Sequence, residues 1–294
     1  MTAFIEEYIL HFPAAWQFQI GDSVDKAVKA FAYDHRVGLG AMKQGVTAAV
    51  GAIRGALEWI PWIVLVLAVA ALAWYLTRKW HMAVIYAAML TFVGCAGLWG
   101  MMLQTLSVII AGVTLSLVLG FPLGILLAMS RRANRLLRPV LDTMQTMPSW
   151  VYLIPAVMLF GTKAPPALLA VTIYAIVPMV RMTSHGLLYV DAEMLEAARA
   201  FGSTKLQTLI KVQIPQAKPT IMTGVNQTIM MAMSMVVTCA LIGYEGLGME
   251  ILVATNQVQM GRALMPGIAI VIVAVILDRL TQAAVRRSEV KVDG

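Results

Sequence analysis

Seven long apolar runs constrain this sequence more than any other feature, because each approaches the length of a membrane-crossing helix. Such a helix needs roughly 20 mainly apolar residues. The runs lie at about 59–76, 82–103, 105–128, 144–161, 164–184, 219–243 and 263–281. They predict an all-α, polytopic integral membrane protein of about seven transmembrane helices with no catalytic site of its own. Composition agrees: 60% of the 294 residues are hydrophobic and only 13% charged, a balance that points to lipid as the solvent.

The net charge of +7 follows from topology. Cytoplasmic loops retain Lys and Arg. Placing the C-terminus inside gathers 15 of the 22 basic residues on one side, among them Arg78, Arg131, Arg138, Lys211 and Arg287. An odd number of spans then leaves the N-terminus outside. Basic residues interleaved with aromatics are absent, so nucleic acid is not an expected partner. Acids stand near the start, at Glu6 and Glu7, where a signal peptide carries bases, so no cleavage is expected and the chain is read as beginning at residue 1. Residues 1–58 read as an extracytoplasmic arm. Its stretch from Val37 to Glu58 has apolar residues at helical spacing and predicts an interfacial helix, with Arg54 and Glu58 paired four apart.

The spans place no ionisable residue deep in the bilayer. Arg181, His185, Asp278 and Arg279 fall near cytoplasmic ends, where side chains reach water. An ion-coupled carrier normally needs such a deep group, so the energy for any transport must come from a partner. The chain has no G-x-x-x-x-G-K-[ST] phosphate loop, and neither H-E-x-x-H nor G-x-S-x-G. Cys95 and Cys239 sit in apolar runs without metal-ligand spacing, and the histidines are isolated, so no metal is expected.

A cytoplasmic loop of roughly 35 residues separates the fifth and sixth runs and reads as two short helices. Asp191 is an N-cap, Gly202 ends the first helix, Thr204 and Gln207 have capping-box spacing, and the second helix stops before Pro215. Ala197 and Ala198 keep the first helix thin, while Leu195 and Phe201 offer apolar contact. On physics alone this is either a docking knob or an ordinary amphipathic loop helix.

Glu196-Ala197-Ala198, then Gly202, then Val212-Gln213-Ile214-Pro215 resemble the E-A-A-x3-G-x9-I-x-L-P coupling motif of ABC-importer permeases, departing from it only at Val212 and Ile214. The similarity covers about residues 96–285. It is strongest to the glycine betaine, proline betaine and choline branch, through GFPLGILLA at Gly120, the run from Arg138, the run from Lys211 and ILDRLTQA near Leu277.

The resemblance implies a type I importer permease fold with the N-terminal helix as scaffold. It implies a permease domain over 59–285, coupling helices in 191–215 and a cytoplasmic tail at 286–294. By the same resemblance Glu196, Ala197, Ala198, Gly202 and Pro215 engage an ATPase groove. The implied assembly has two permease copies in a bacterial inner membrane, two ATPase subunits that bind the ATP, and an extracytoplasmic binding protein. The permease itself needs no cofactor. Alternatives are a permease for another small solute, such as an amino acid or a sulfonate, a secondary carrier, or a scaffold without transport.

Path residues are open to two readings each. Thr223, Gln227, Met230, Ser234 and Thr238 share one face of the sixth span, which either lines a path or hydrogen-bonds a neighbouring helix. Trp150 and Tyr152 follow Pro148 in an interrupted span and are either cation-π surfaces or interface anchors. The Met-rich sixth span is either an adaptable wall or packing. Gly120 and Gly124 predict a close helix contact. The Gly243–Gly248 segment predicts a flexible outer turn, with Glu245 and Glu250 available to steer a partner.

Overall fold

The computed structural model describes residues 21–290, and its regular structure is helical throughout. The helices are α1 (Gly21–Asp34), α2 (Arg36–Trp59), α3 (Trp62–Thr77), α4 (Trp80–Cys95), α5 (Trp99–Met129), α6 (Arg131–Thr146), α7 (Trp150–Phe160) and α8 (Ala164–Leu188). They continue with α9 (Ala192–Ala200), α10 (Lys205–Thr208), α11 (Ile214–Thr238), α12 (Leu247–Asn256) and α13 (Met260–Val290). The expected chain start and the end of the tail, 291–294, lie outside the described residues.

The seven expected spans resolve less evenly than the hydropathy pattern implies. Among the described residues four helices are long and apolar enough to cross a membrane: α5, α8, the continuous stretch Lys205–Ile242 and α13 up to Val285. A fifth span would be the pair α2 and α3, which are bent by 93° at Ile60 and Pro61. The runs expected at 82–103 and 105–128 divide elsewhere. α4 ends at Cys95, Gly97 turns the chain at φ +72°, and α5 runs unbroken through position 104. The run at 144–161 is not one helix. The chain breaks at Met147 and Pro148, leaving the amphipathic α6 on one side and the 11-residue α7 on the other. Proline lacks the N–H that would continue α6 and disfavours a helical residue before it.

Close packing of α5 on α8 forms the centre. A methyl added at Gly112 would lie 2.5 Å from Val171 Cγ1, and one at Gly124 would lie 2.5 Å from Thr183 Cβ and 2.9 Å from the Val180 carbonyl oxygen. One at Gly120 would meet Met179 Cβ at 3.0 Å. Gly120 and Gly124 therefore make the expected contact, and Gly112 extends it by two turns. Ser116 Oγ adds a hydrogen bond to the Thr172 carbonyl at 3.2 Å. α11 packs on the other side of α8, where Gly224 admits the Met182 side chain.

Asp278 does not extend towards water as the sequence implied. Its carboxylate turns inwards and accepts from Asn226 Nδ2 at 2.9 Å and from Gln282 Nε2 at 2.8 Å, tying α13 to α11. An aspartate stem is too short to reach past the helix surface, so local amides satisfy it instead. Arg181 is likewise held by Asp142 of α6.

The bundle has a basic end, carrying Arg78, Lys79, the four arginines of α6, the 191–218 loop and Arg287. There Arg287 donates to the Tyr75 carbonyl and stacks 3.7 Å from the Tyr75 ring centroid. At the far end α2 crosses α5, α7 and α8, and Arg54 pairs with Glu58 at 2.7 Å as expected.

Candidate functional site

At the basic end the 191–213 segment folds by local rules into two short helices. Asp191 Oδ1 accepts from the Glu193 N–H at 2.9 Å and starts α9. Gly202, at φ +75°, ends it: the Gly202 N–H donates to the Arg199 carbonyl at 2.9 Å and the Ser203 N–H to the Ala198 carbonyl at 3.1 Å. This paired closure is the Schellman arrangement, for which glycine is favoured. Thr204 and Gln207 then form a reciprocal capping box, at 2.8 and 3.3 Å, that opens α10.

Pro215 does not stop the second helix. Leu209–Gln213 is a turn of the wider i→i+5 helix that leads directly into α11, where Pro215 stands in the first turn. The widened turn makes room for the pyrrolidine ring and for the hydrogen bond that proline cannot donate.

The residues of the motif are presented unequally. Glu196, Ala197, Gly202 and Pro215 are exposed, whereas Ala198 is buried against the rest of the loop. Around them Phe201 is 91% exposed, and Leu206 and Ile210 are also bare. Three large apolar side chains bare within ten residues of one loop are more than a solvated face requires. Acid at the start of α9 (Glu193) and base at its end (Arg199) match the helix dipole.

The face of α11 that the spacing singled out is also turned away from the bundle. Thr223, Gln227, Met230 and Ser234 are exposed and Thr238 is half-buried. Thr223 and Ser234 return their hydroxyls to the carbonyls of Pro219 and Met230, at 3.1 and 3.2 Å. The Gln227 side-chain amide makes no hydrogen bond to any described residue. A primary amide left in hydrocarbon would be costly, so this face calls for water or a second protein surface. No fixed charge lies on it.

Trp150 and Tyr152 stand at the break between α6 and α7. Trp150 is 56% exposed, while the Tyr152 hydroxyl donates to the Met144 carbonyl and bridges the two helices. Of the sixth-span methionines, open to reading as a wall or as packing, Met230 is exposed, Met231 half-buried, and Met233 and Met235 are core.

At the far end the flexible turn anticipated after α11 is a docked structure. Tyr244 is buried and donates to the Gln104 carbonyl at 2.9 Å, and the Leu247 N–H donates to Thr105 Oγ1 at 3.0 Å, starting α12 from a neighbouring helix. Gly246, at φ +144°, is pressed against Thr105 so closely that a methyl there would lie 2.6 Å from its hydroxyl. Glu250 is paired with Arg262 at 3.0 Å, whereas Glu245 is exposed. Gln104 and Thr105, the partners of Tyr244 and Leu247, lie more than 130 residues away in sequence and left no local signal. Among the described residues no cluster of His, Cys, Asp and Glu could hold a metal ion.

Residues 120–290 match the family described as binding-protein-dependent transport system inner membrane component. The glycine betaine transport system permease protein OpuAB of Bacillus subtilis is 43% identical over 81% of this chain and 84% of its own length. The glycine betaine/proline betaine transport system permease protein ProW of Escherichia coli is 42% identical over 83% of this chain and 70% of its own. Among solved structures, an inward-facing MetNI methionine ABC transporter chain superposes with a TM-score of 0.57 over 65% of this chain and 95% of its own, at 21% identity. That level of similarity speaks to the fold, which is the fold of ABC importer permeases.

Proposed function

The chain belongs to the family of binding-protein-dependent transport system inner membrane components, and on that premise we propose that it carries quaternary-amine osmoprotectants of the glycine betaine, proline betaine and choline type across a bacterial inner membrane. The cargo class rests on relatives named for glycine betaine that align along most of their length. Two copies form the path, two ATPase subunits bind and hydrolyse ATP, and an extracytoplasmic binding protein delivers the solute. The basic end faces the cytoplasm, the side that retains Lys and Arg, so the N-terminal arm with its scaffold helix is outside and the C-terminus inside.

The carrying observation is the capped loop between α8 and α11. Glu196, Ala197 and Gly202 stand at the surface with exposed Phe201, Leu206 and Ile210, Ala198 is buried, and Pro215 stands in the first turn of α11, into which the loop leads directly. That surface suits the groove of an ATPase subunit. When the ATPase pair closes on ATP, the loop is displaced and α11 moves with it, a rigid-body switch driven by nucleotide.

The α11 face then lines the path between the two copies. Its neutral groups, Thr223, Gln227, Met230, Ser234 and Thr238, wet a zwitterion without trapping it by an ion pair. Trp150 offers its ring to a quaternary ammonium by cation-π attraction. Tyr152 supports that position by holding the α6–α7 break.

Membrane vesicles holding the chain with its neighbouring ATPase and binding protein test the reading. The solutes are labelled glycine betaine, choline, proline, a control amino acid and trimethylamine N-oxide. The last is included because a relative from Ruegeria pomeroyi, 38% identical, is named for it. ATP-dependent uptake of a quaternary amine is the expected result. ATP hydrolysis without uptake of any amine in the panel would discard the cargo and keep the permease.

A further inference from the structure

Two cavities meet on the side of the bundle where α5, α6 and α8 converge, and their chemistry differs sharply. One, of about 380 Å³, is walled by apolar side chains including Leu123, Leu137, Val140, Met144, Ile173 and Ile176. Its one hydroxyl, on Thr172, is turned onto the Leu168 carbonyl at 2.7 Å. The other, of about 320 Å³, is lined by Asn134, Arg138, Arg181, His185 and Tyr189. Leu127 and Leu141 belong to both walls, so the two cavities adjoin across these side chains.

The order of the two parts along the bundle is fixed by both flanking helices. On α8 the apolar wall ends at Val180 and the polar wall begins at Arg181; on α6, which runs the opposite way, the polar wall begins at Asn134 and the apolar wall extends to Met144. The apolar part therefore lies deeper in the bilayer and the cationic part at the basic end. Along α5 the apolar wall reaches from Leu115 to Leu127, about 18 Å of helix. One leaflet of the hydrocarbon layer is about 15 Å thick.

Charge decides what sort of molecule completes the site. Asp142 is the sole acid on the polar wall, and Arg181 already occupies it. Arg138 has no ion pair with any described residue. A second copy meeting this face with the same face, as an isologous dimer does, would set arginine against arginine. An anion with an apolar tail meets both demands, and anionic lipids are the standing source of such molecules at a basic membrane surface.

We propose that the α5–α6–α8 face seats one anionic phospholipid, with an acyl chain in the apolar groove and its phosphate headgroup on Arg138, Arg181 and His185. Its assignment to the cytoplasmic leaflet rests on the orientation given above; the site itself does not.

The test uses the full chain in nanodiscs containing trace phosphatidylglycerol or phosphatidylcholine with a diazirine in the acyl chain, followed by peptide mapping. Labelling is expected to concentrate in 115–127, 137–144 and 169–180, with phosphatidylglycerol about fivefold above phosphatidylcholine for each effective cation. Arg138→Gln should bring the two lipids close to parity while leaving phosphatidylcholine labelling, which reports the fold, unchanged. Leu123→Trp, which fills the groove, should lower labelling by both.

Equal labelling by the two lipids in the unaltered chain, or label spread evenly over all outward helices, overturns the proposal. So does a loss of preference caused by soluble glycerol 3-phosphate, which would mark a free-anion pocket. Disulfide crosslinking of two Leu123→Cys copies at this face would assign it to the dimer instead. None of these outcomes depends on ATP or on transport, so the proposal and the cargo assignment fail separately.

Discussion

Replacing Gly202 by valine isolates the contribution of one backbone angle to coupling. The residue sits at φ +75°, and a Cβ built there meets nothing within 4 Å, so the cost is conformational and owes nothing to crowding. Placing an ordinary L-residue in the left-handed region costs about 1–2 kcal/mol. That shifts the ratio of capped to uncapped loop by about fivefold to thirtyfold. The hydrogen bonds at risk are those from Gly202 to Arg199 and from Ser203 to Ala198. The helical bundle does not depend on them, so insertion and yield should be unchanged. Asparagine tolerates the left-handed region better than valine, and Gly202→Asn is the control. In vesicles with the ATPase and binding protein, Gly202→Val should lose uptake and substrate-stimulated ATP hydrolysis together, up to the factor above, and Gly202→Asn should retain most of both. Equal activity in the two variants would refute the conformational argument, because they differ mainly in tolerance of that angle.

Gly124→Val should separate α5 from α8, because the first added carbon already meets the Val180 backbone at 2.9 Å and no rotamer relieves it. A loss of about 1–3 kcal/mol is expected, read as a lower midpoint in thermal unfolding in detergent, with Gly55→Ala, where nothing lies within 4 Å, as the neutral comparison. Gln227→Leu should leave unfolding unchanged and depress uptake, since the amide has no partner in the bundle; normal uptake would remove Gln227 from the path. A membrane-impermeant maleimide applied to intact spheroplasts should label exposed Cys95 and spare buried Cys239. Labelling of Cys95 only after the membrane is opened would reverse the assigned orientation.

Where the architecture depends on short-range rules, the residues announce it. Asp191, Gly202, and Thr204 with Gln207 all act within a few positions of themselves, and each does in the structure what its type and spacing imply. Gly120 and Gly124 are legible for the same reason. The joints between spans are less so. Hydropathy does not mark where one apolar helix ends and the next begins, and Gly97 is a faint sign beside the continuous apolar run on either side. Pro215 was misleading because a proline in a helix's first turn is compatible with continuation once the preceding turn widens. Asn226 with Asp278, Asp142 with Arg181, and Tyr244 with Gln104 are separated by 52, 39 and 140 residues, and no local pattern connects them. The exposed stripe on α11 was visible as a pattern, but its two readings are separable only by asking which face of the helix the bundle covers.

The unbroken helix from Lys205 to Ile242 has a mechanical meaning. Its 38 residues follow a helical path about 57 Å long, with one widened turn at Leu209–Gln213, nearly twice the thickness of the hydrocarbon layer. The capped loop is therefore the handle of that helical arm, with no hinge of coil between it and the membrane-embedded stretch. Between Thr204 and Ser234 the backbone is helical throughout, with no intervening loop. What a small displacement of such an arm gains in reach at the distant end, it gives up in force.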